Sequence, residues 1–249
     1  MSLTKTMSTS DKIKFVRDRI ADSARRSGRD SDDVKLVAVT KYVSADDRHI
    51  EEFIKNGCTD FGESRVQSLL DKIEYFDRKL LECYPNIVTK NQPCWHMIGT
   101  LQRNKIRKIL SRISLIHSVD SERLAAAIDR VVVEEAIGQP VNCLLEVAIS
   151  DDETKHGFEP SKITDVVGRF GQFRNLRVVG LMCMASLDAD AVKTRQEFAK
   201  ARNIAEKLKS QNLPNNCSIN ELSMGMSDDF EIAIEEGATI VRIGRLLYD

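Results

Sequence analysis

The strongest constraint on this chain is a repeated alternation. Short apolar runs rich in Val, Ile and Leu recur eight times, each followed by residues of helical periodicity. The runs read as strands over residues 35–40, 58–61, 95–98, 114–117, 142–149, 176–182, 218–222 and 239–243. A run such as Lys35-Leu-Val-Ala-Val-Thr40, with no polar alternation, marks a strand covered on both faces, as in a parallel sheet. No hairpin signal joins successive runs and no composition break marks a linker, so the alternation predicts a single (β/α)8 barrel of α/β class. One extra helix precedes it from Asp11, with Ile13, Val16, Ile20 and Ala24 on one face and Gly28 as its stop. Residues 1–10 are expected to be a flexible tail and 11–249 the barrel.

The helices carry their own punctuation. Ser44 to Asp47 resembles a capping box and Asn56-Gly57 a stop. Val66, Leu69, Leu70 and Ile73 share a face of a helix reaching about Leu81, and a loop with Pro85 and Pro93 reads as an insertion. Ile106, Ile109 and Leu110 mark the next helix. Asp120-Ser121 opens one that Gly138 ends, Pro160 suits a first turn, and a long helix spans 190–210. Phe230, Ala233 and Ile234 face inward on the last, which Gly237 stops.

Composition excludes several functions. Lys plus Arg (37) nearly balance Asp plus Glu (38), so no global field draws the chain to nucleic acid or an anionic membrane. The basic run Arg103, Lys105, Arg107, Lys108 and Arg112 lacks interleaved aromatics and reads as a solvated helix face. Six cysteines without a Cys-x-x-Cys pair suit a reducing cytoplasm. His49, His96, His117 and His156 lack metal-ligand spacing, so no metal is expected, and no apolar segment approaches membrane-spanning length.

In a barrel the chemistry sits at the C-terminal ends of the strands. Lys41 follows the first strand there. It is either a Schiff-base amine, activated by desolvation, or a lysine marking where a strand meets solvent. Gly62-Glu-Ser64, His96 to Gly99, Ser223 to Ser227 and Arg242 to Arg245 converge on the same mouth. Ser223-Met-Gly-Met-Ser227 is either an anion cradle, with Gly225 letting backbone N–H groups approach, or a plain helix cap. Asp228 and Asp229 would repel a dianion and are expected to point away. Arg242, inside an apolar strand, either faces the mouth or pairs with a surface acid. Lys155-His156-Gly157 lies near the mouth, as a second amine or an exposed basic loop.

Taken together, Leu36-Val-Ala-Val-Thr-Lys41, Phe61-Gly-Glu-Ser64, Trp95 to Lys105, His117-Ser-Val-Asp120, Gly180-Leu-Met182, Ser223 to Asp229 and Val241-Arg-Ile-Gly-Arg245 resemble the pyridoxal phosphate homeostasis proteins. These are single-domain barrels of the alanine racemase N-terminal type. The resemblance implies that Lys41 holds pyridoxal 5'-phosphate as an internal aldimine, that Ser223, Gly244 and Arg245 help hold the phosphate, and that Arg242 faces the ring nitrogen. It also implies that Ser64, His96, Met182, Met224 and Gly225 lie around the cofactor. Ser64 replaces the family's usual Asn, and Leu247-Tyr248-Asp249 replaces its usual Phe-Gly ending. The implied protein is a cytoplasmic monomer that buffers the cofactor and passes it to apoenzymes. A racemase using the same aldimine, or an aldolase in which Lys41 attacks substrate directly, remain the alternatives.

Overall fold

A computed structural model describes residues 7–83 (side chains to 78), 93–150 and 156–249. Eight parallel strands close into one barrel in sequence order, β1 pairing with β8 through Leu36 opposite Val241. They are β1 (Lys35–Val39), β2 (Asp60–Glu63), β3 (Cys94–Met97), β4 (Leu115–Val119), β5 (Val141–Glu146), β6 (Leu176–Met182), β7 (Cys217–Ser223) and β8 (Ile240–Ile243). Around them lie α1 (Thr9–Arg26), α2 (Arg48–Lys55), α3 (Val66–Cys83), α4 (Ile106–Ile109), α5 (Glu122–Glu134), α6 (Ile163–Phe170), α7 (Ala191–Lys209), α8 (Phe230–Glu235) and α9 (Arg245–Tyr248).

The two faces of each strand divide the core. Val37, Leu115, Leu144, Met182 and Ile240 cluster inside the barrel, while their chain neighbours Ala38, Ile116, Leu145, Leu181 and Val241 join the larger core beneath the helices. This period of two decides which functional side chains enter the lumen. Helix α1 packs on α2, α8 and α9 and completes the outer ring, because α9 is only one turn long. Its charged edge is tied down by Arg19–Glu231 and Arg26–Glu235 ion pairs, and Lys12 Nζ donates to the Tyr248 carbonyl at 2.8 Å.

Several boundaries differ from those the sequence suggests. Helix α1 starts at Thr9 because Ser8 and Asp11 form a reciprocal capping box. Asp47, with its carboxylate on the His49 N–H, caps α2, while Ser44 donates to Asp46 instead. Strand β2 begins at Asp60 because Cys58 N–H still closes the preceding helix onto the Phe53 carbonyl. Helix α5 ends at Glu134 with Glu135 as its C-cap, and Ala136 (φ 49°) makes the left-handed turn two residues before Gly138. The fourth helix is broken into 3-10 turns on either side of α4, with no side-chain cap at Gln102. The insertion around Pro85 and the amine of Lys155 lie outside the described residues.

Gly180 shows how tightly the sheet closes. A Cβ there would lie 1.8 Å from the Glu221 carbonyl oxygen, where β6 meets β7 at a register shift. Backbone cannot yield as a flexible side chain can. Gly180→Ala is therefore expected to lower stability by about 1–3 kcal/mol or more, measured by urea unfolding. A variant as stable as the parent would mean the two strands part at no cost.

Candidate functional site

Lys41 lies two residues past β1 and is exposed. Its ammonium sits 5.2 Å from the centroid of the Tyr42 ring, and its carbonyl accepts from Arg65 at 3.1 Å. The amine thus stands open to solvent; Lys72, by contrast, is fully buried. On the inward face of α3, Lys72 Nζ donates to the Thr40 carbonyl (2.8 Å), to Ser68 Oγ (3.0 Å) and to Glu63. Both side chains of this ion pair are fully buried. Glu63 also accepts from the Ser64 N–H at 2.7 Å and the Arg65 N–H at 3.1 Å. Burial pushes the Glu63 carboxyl up, but Lys72 and these amides bring it below its ordinary value. The pair thus braces the end of β1, one residue before Lys41, from outside the barrel. Sequence reasoning missed Lys72, although its signal was available: it shares a face with Leu69, Ile73 and Phe76, where a solvated lysine does not belong.

Arg242 faces the lumen, since its neighbours Val241 and Ile243 face the helices. It is 5% exposed. Nη1 donates to the Ser223 carbonyl (2.9 Å) and Ser223 Oγ (2.7 Å), and Nη2 to the Cys183 carbonyl (3.1 Å). Of the two placements open to it in the sequence, the mouth is the observed one. Ser223 ends β7, and its hydroxyl also lies 3.0 Å from His117 Nδ1. His96 is 2% exposed and turned toward the barrel floor, with Nδ1 2.9 Å from His117 Nε2 and Nε2 3.2 Å from Asp60, the first residue of β2.

The loops after β7 and β8 lie together. Arg242 N–H donates to the Gly225 carbonyl at 3.0 Å, and Leu246 N–H reaches Ser227 Oγ at 3.5 Å. Gly225 has φ +92°, and a Cβ there would meet the Ala233 Cβ at 2.6 Å. At Gly244 a Cβ would meet the Tyr42 ring at 2.7 Å, so the Lys41 loop packs on the β8 loop. Met182 closes the lumen cluster, whereas Met224 packs under the helices with its sulfur 3.9 Å from that of Cys183. Ser64, half-buried, lies against Gly99 and joins the loops after β2 and β3. Arg245 and Asp228 form an exposed ion pair. Asp228 points away as expected, but Asp229 turns inward and accepts from the Met226 N–H at 2.6 Å. The basic run is a solvated face, Arg107 pairing with Glu134 and Arg112 with Asp77.

Glu146 was not anticipated. It ends β5 on the lumen side, 8% exposed, and burial reinforced by the charge of Asp120 pushes its carboxyl up to about 7 against the pull of Arg242. A carboxyl raised from 4.5 to about 7 on folding binds more protons in the native state across that interval. Its contribution is present below pH 4.5 and lost as pH rises to about 7. The parent is expected to lose up to about 3 kcal/mol more than Glu146→Gln between pH 4.5 and 7.5 in urea unfolding. Parallel pH profiles for the two proteins would refute this.

The fold and its mouth define a class of barrel, and the comparisons identify the same one. Residues 16–249 match the family model of the alanine racemase N-terminal domain. A pyridoxal phosphate homeostasis protein of Aquifex aeolicus is 36% identical over 242 residues, covering 97% of this chain and 98% of that protein. The structure of PipY of Synechococcus elongatus with PLP bound superposes with a TM-score of 0.78 at 30% identity, covering 97% of this chain and all of that one. An alanine racemase of Clostridium difficile shares the fold (TM-score 0.70, 12% identity), covering 96% of this chain and 56% of that one. The chain belongs to the alanine racemase N-terminal domain family and, within it, to the pyridoxal phosphate homeostasis proteins.

Proposed function

We propose that this protein binds pyridoxal 5'-phosphate through Lys41 and buffers its supply without turning over a substrate of its own. The observation that carries the reading is the juxtaposition of an accessible primary amine after β1, a buried guanidinium in the lumen and two adjoining loops after β7 and β8. These residues fit the cofactor's amine-reactive aldehyde, its ring and its phosphate. When bound, the cofactor supplies an aldehyde carbon that a lysine amine attacks reversibly with loss of water.

Lys41 supplies the amine, leaving the Tyr42 face for the mouth. The loops at Ser223 to Gly225 and Gly244-Arg245 take the phosphate, Arg245 by exchanging its exposed partner Asp228 for the ligand. The Ser223 hydroxyl is already engaged by Arg242 Nη1 and His117 Nδ1, so the loop's contribution falls to backbone N–H groups. Arg242 presents N–H groups to the ring nitrogen and disfavours its protonation, which suits storage better than carbanion chemistry. Met182 and Ser64 bound the ring's surroundings, while His96 and Met224 act from behind them.

The proposed protein is a cytoplasmic monomer that hands the cofactor to apoenzymes, and the buried thiols of Cys58, Cys143 and Cys217 suit a reducing compartment. No helix of the described residues is long and apolar enough to cross a membrane. The test is borohydride reduction of the protein mixed with pyridoxal phosphate, followed by peptide mapping. The modified residue should be Lys41; modification elsewhere, or none, would overturn the reading. Exchange of an amino acid's α-proton with solvent would show turnover and refute the non-catalytic role.

A further inference from the structure

Four side chains link Arg242 to the far end of the barrel. From the mouth downward the contacts are Arg242 Nη1 to Ser223 Oγ (2.7 Å), Ser223 Oγ to His117 Nδ1 (3.0 Å), His117 Nε2 to His96 Nδ1 (2.9 Å) and His96 Nε2 to Asp60 Oδ1 (3.2 Å). Asp60 opens β2, at the floor, whereas Ser223 closes β7, at the mouth. His117 is fully buried and His96 nearly so.

The valences at the two ends fix the direction of the whole column. A guanidinium only donates, so Ser223 Oγ accepts from Arg242. The serine proton then goes to His117 Nδ1, leaving a neutral His117 with its proton on Nε2. That proton goes to His96 Nδ1, and His96 in turn keeps its proton on Nε2, aimed at Asp60. An ionised carboxylate only accepts, so the chain closes without a conflict. The opposite sense requires a doubly protonated His96 and leaves the Ser223 proton without this acceptor.

We propose that Asp60, His96 and His117 are positioning residues for Arg242, holding Ser223 Oγ as a fixed acceptor so that the guanidinium keeps one orientation in the mouth. The charge pattern supports it. His117 is held well below its ordinary pKa by burial first, and the positive charges of Arg242 and Lys35 act in the same direction. Burial pushes the Asp60 carboxyl up, but His96, Thr59 and Lys35 hold it below its ordinary value. The consequence for a bound ring rests on the function proposed above; the column itself does not.

The test uses the cofactor-free protein. Nitrogen-15 spectra of the imidazoles at about pH 8, above the ordinary histidine pKa, should show His96 and His117 each with a single proton, on Nε2. The Arg242 guanidinium should show separate Nη signals, slowed by its bonds. Asp60→Ala should mix the His96 tautomers and merge the Arg242 signals, and Asp60→Asn, whose carbonyl still accepts, should restore both. A charged His96, an Nδ1-protonated His117, or Arg242 signals unchanged in Asp60→Ala would each overturn the proposal. The parent spectrum decides even if the variants fail to fold. None of these readings needs pyridoxal phosphate, so loss of cofactor uptake and loss of the column are seen separately.

Discussion

Replacing Lys72 by methionine is expected to lower the unfolding free energy by about 3–5 kcal/mol, the usual cost of leaving one member of a buried ion pair without its partner. The methionine fills much of the lysine's volume, so the loss reports the stranded Glu63 charge and the three hydrogen bonds of Nζ more than a cavity. Glu63→Gln in the same background should recover part of it, since a neutral amide still accepts from the Ser64 and Arg65 N–H groups without a buried charge. Urea unfolding of the two variants beside the parent measures both effects. A Lys72→Met protein within about 1 kcal/mol of the parent would show that water reaches Glu63 and that the pair contributes as a surface bridge does. Because Nζ also holds the Thr40 carbonyl, Lys72→Met should speed hydrogen exchange in the Lys41 loop beyond what global destabilisation alone produces.

The barrel was legible because its cause is a pattern repeated eight times. Strands such as β6 and helices such as α7, which Asp190 caps at the start of the 190–210 pattern, show period and punctuation agreeing. Where punctuation is ambiguous the boundary moves. Ser44 and Asp47 both resemble caps, and the choice depends on which side-chain oxygen reaches the His49 amide. The positions of Lys41, Arg242 and the two mouth loops followed from their place at strand ends. The lumen did not follow from sequence in the same way. Asp60, His96, His117 and Ser223 lie on four different strands, and only closure and stagger of the barrel bring them within hydrogen-bond distance. A buried histidine in a strand carries no mark of which neighbour it will meet. Glu146 likewise reads as a polar strand end until Asp120 and Arg242 are placed around it.

Lys41→Ala is expected to abolish covalent uptake of pyridoxal phosphate entirely, and Lys41→Arg to do the same. The arginine keeps the charge and much of the length, so it separates attraction of an anionic ligand from bond formation; a guanidinium stays protonated and does not attack an aldehyde. The parent mixed with pyridoxal phosphate should develop a visible absorption band, and neither variant should. The contrast with Lys72 sharpens the expectation. Lys72 has three acceptors for its three protons and no exposure, so it offers no lone pair to an incoming carbonyl. Lys41 has an exposed amine resting on the Tyr42 ring, a contact worth about 0.5–1 kcal/mol at an exposed site and easily given up. Lys72→Met, where it remains folded, should therefore still take up the cofactor. A band that persists in Lys41→Arg would move the reaction to another amine and remove the reason for a lysine at the end of β1. If the band is lost in Lys72→Met while the protein stays folded, the brace under Thr40, more than the amine's own position, prepares Lys41 to react.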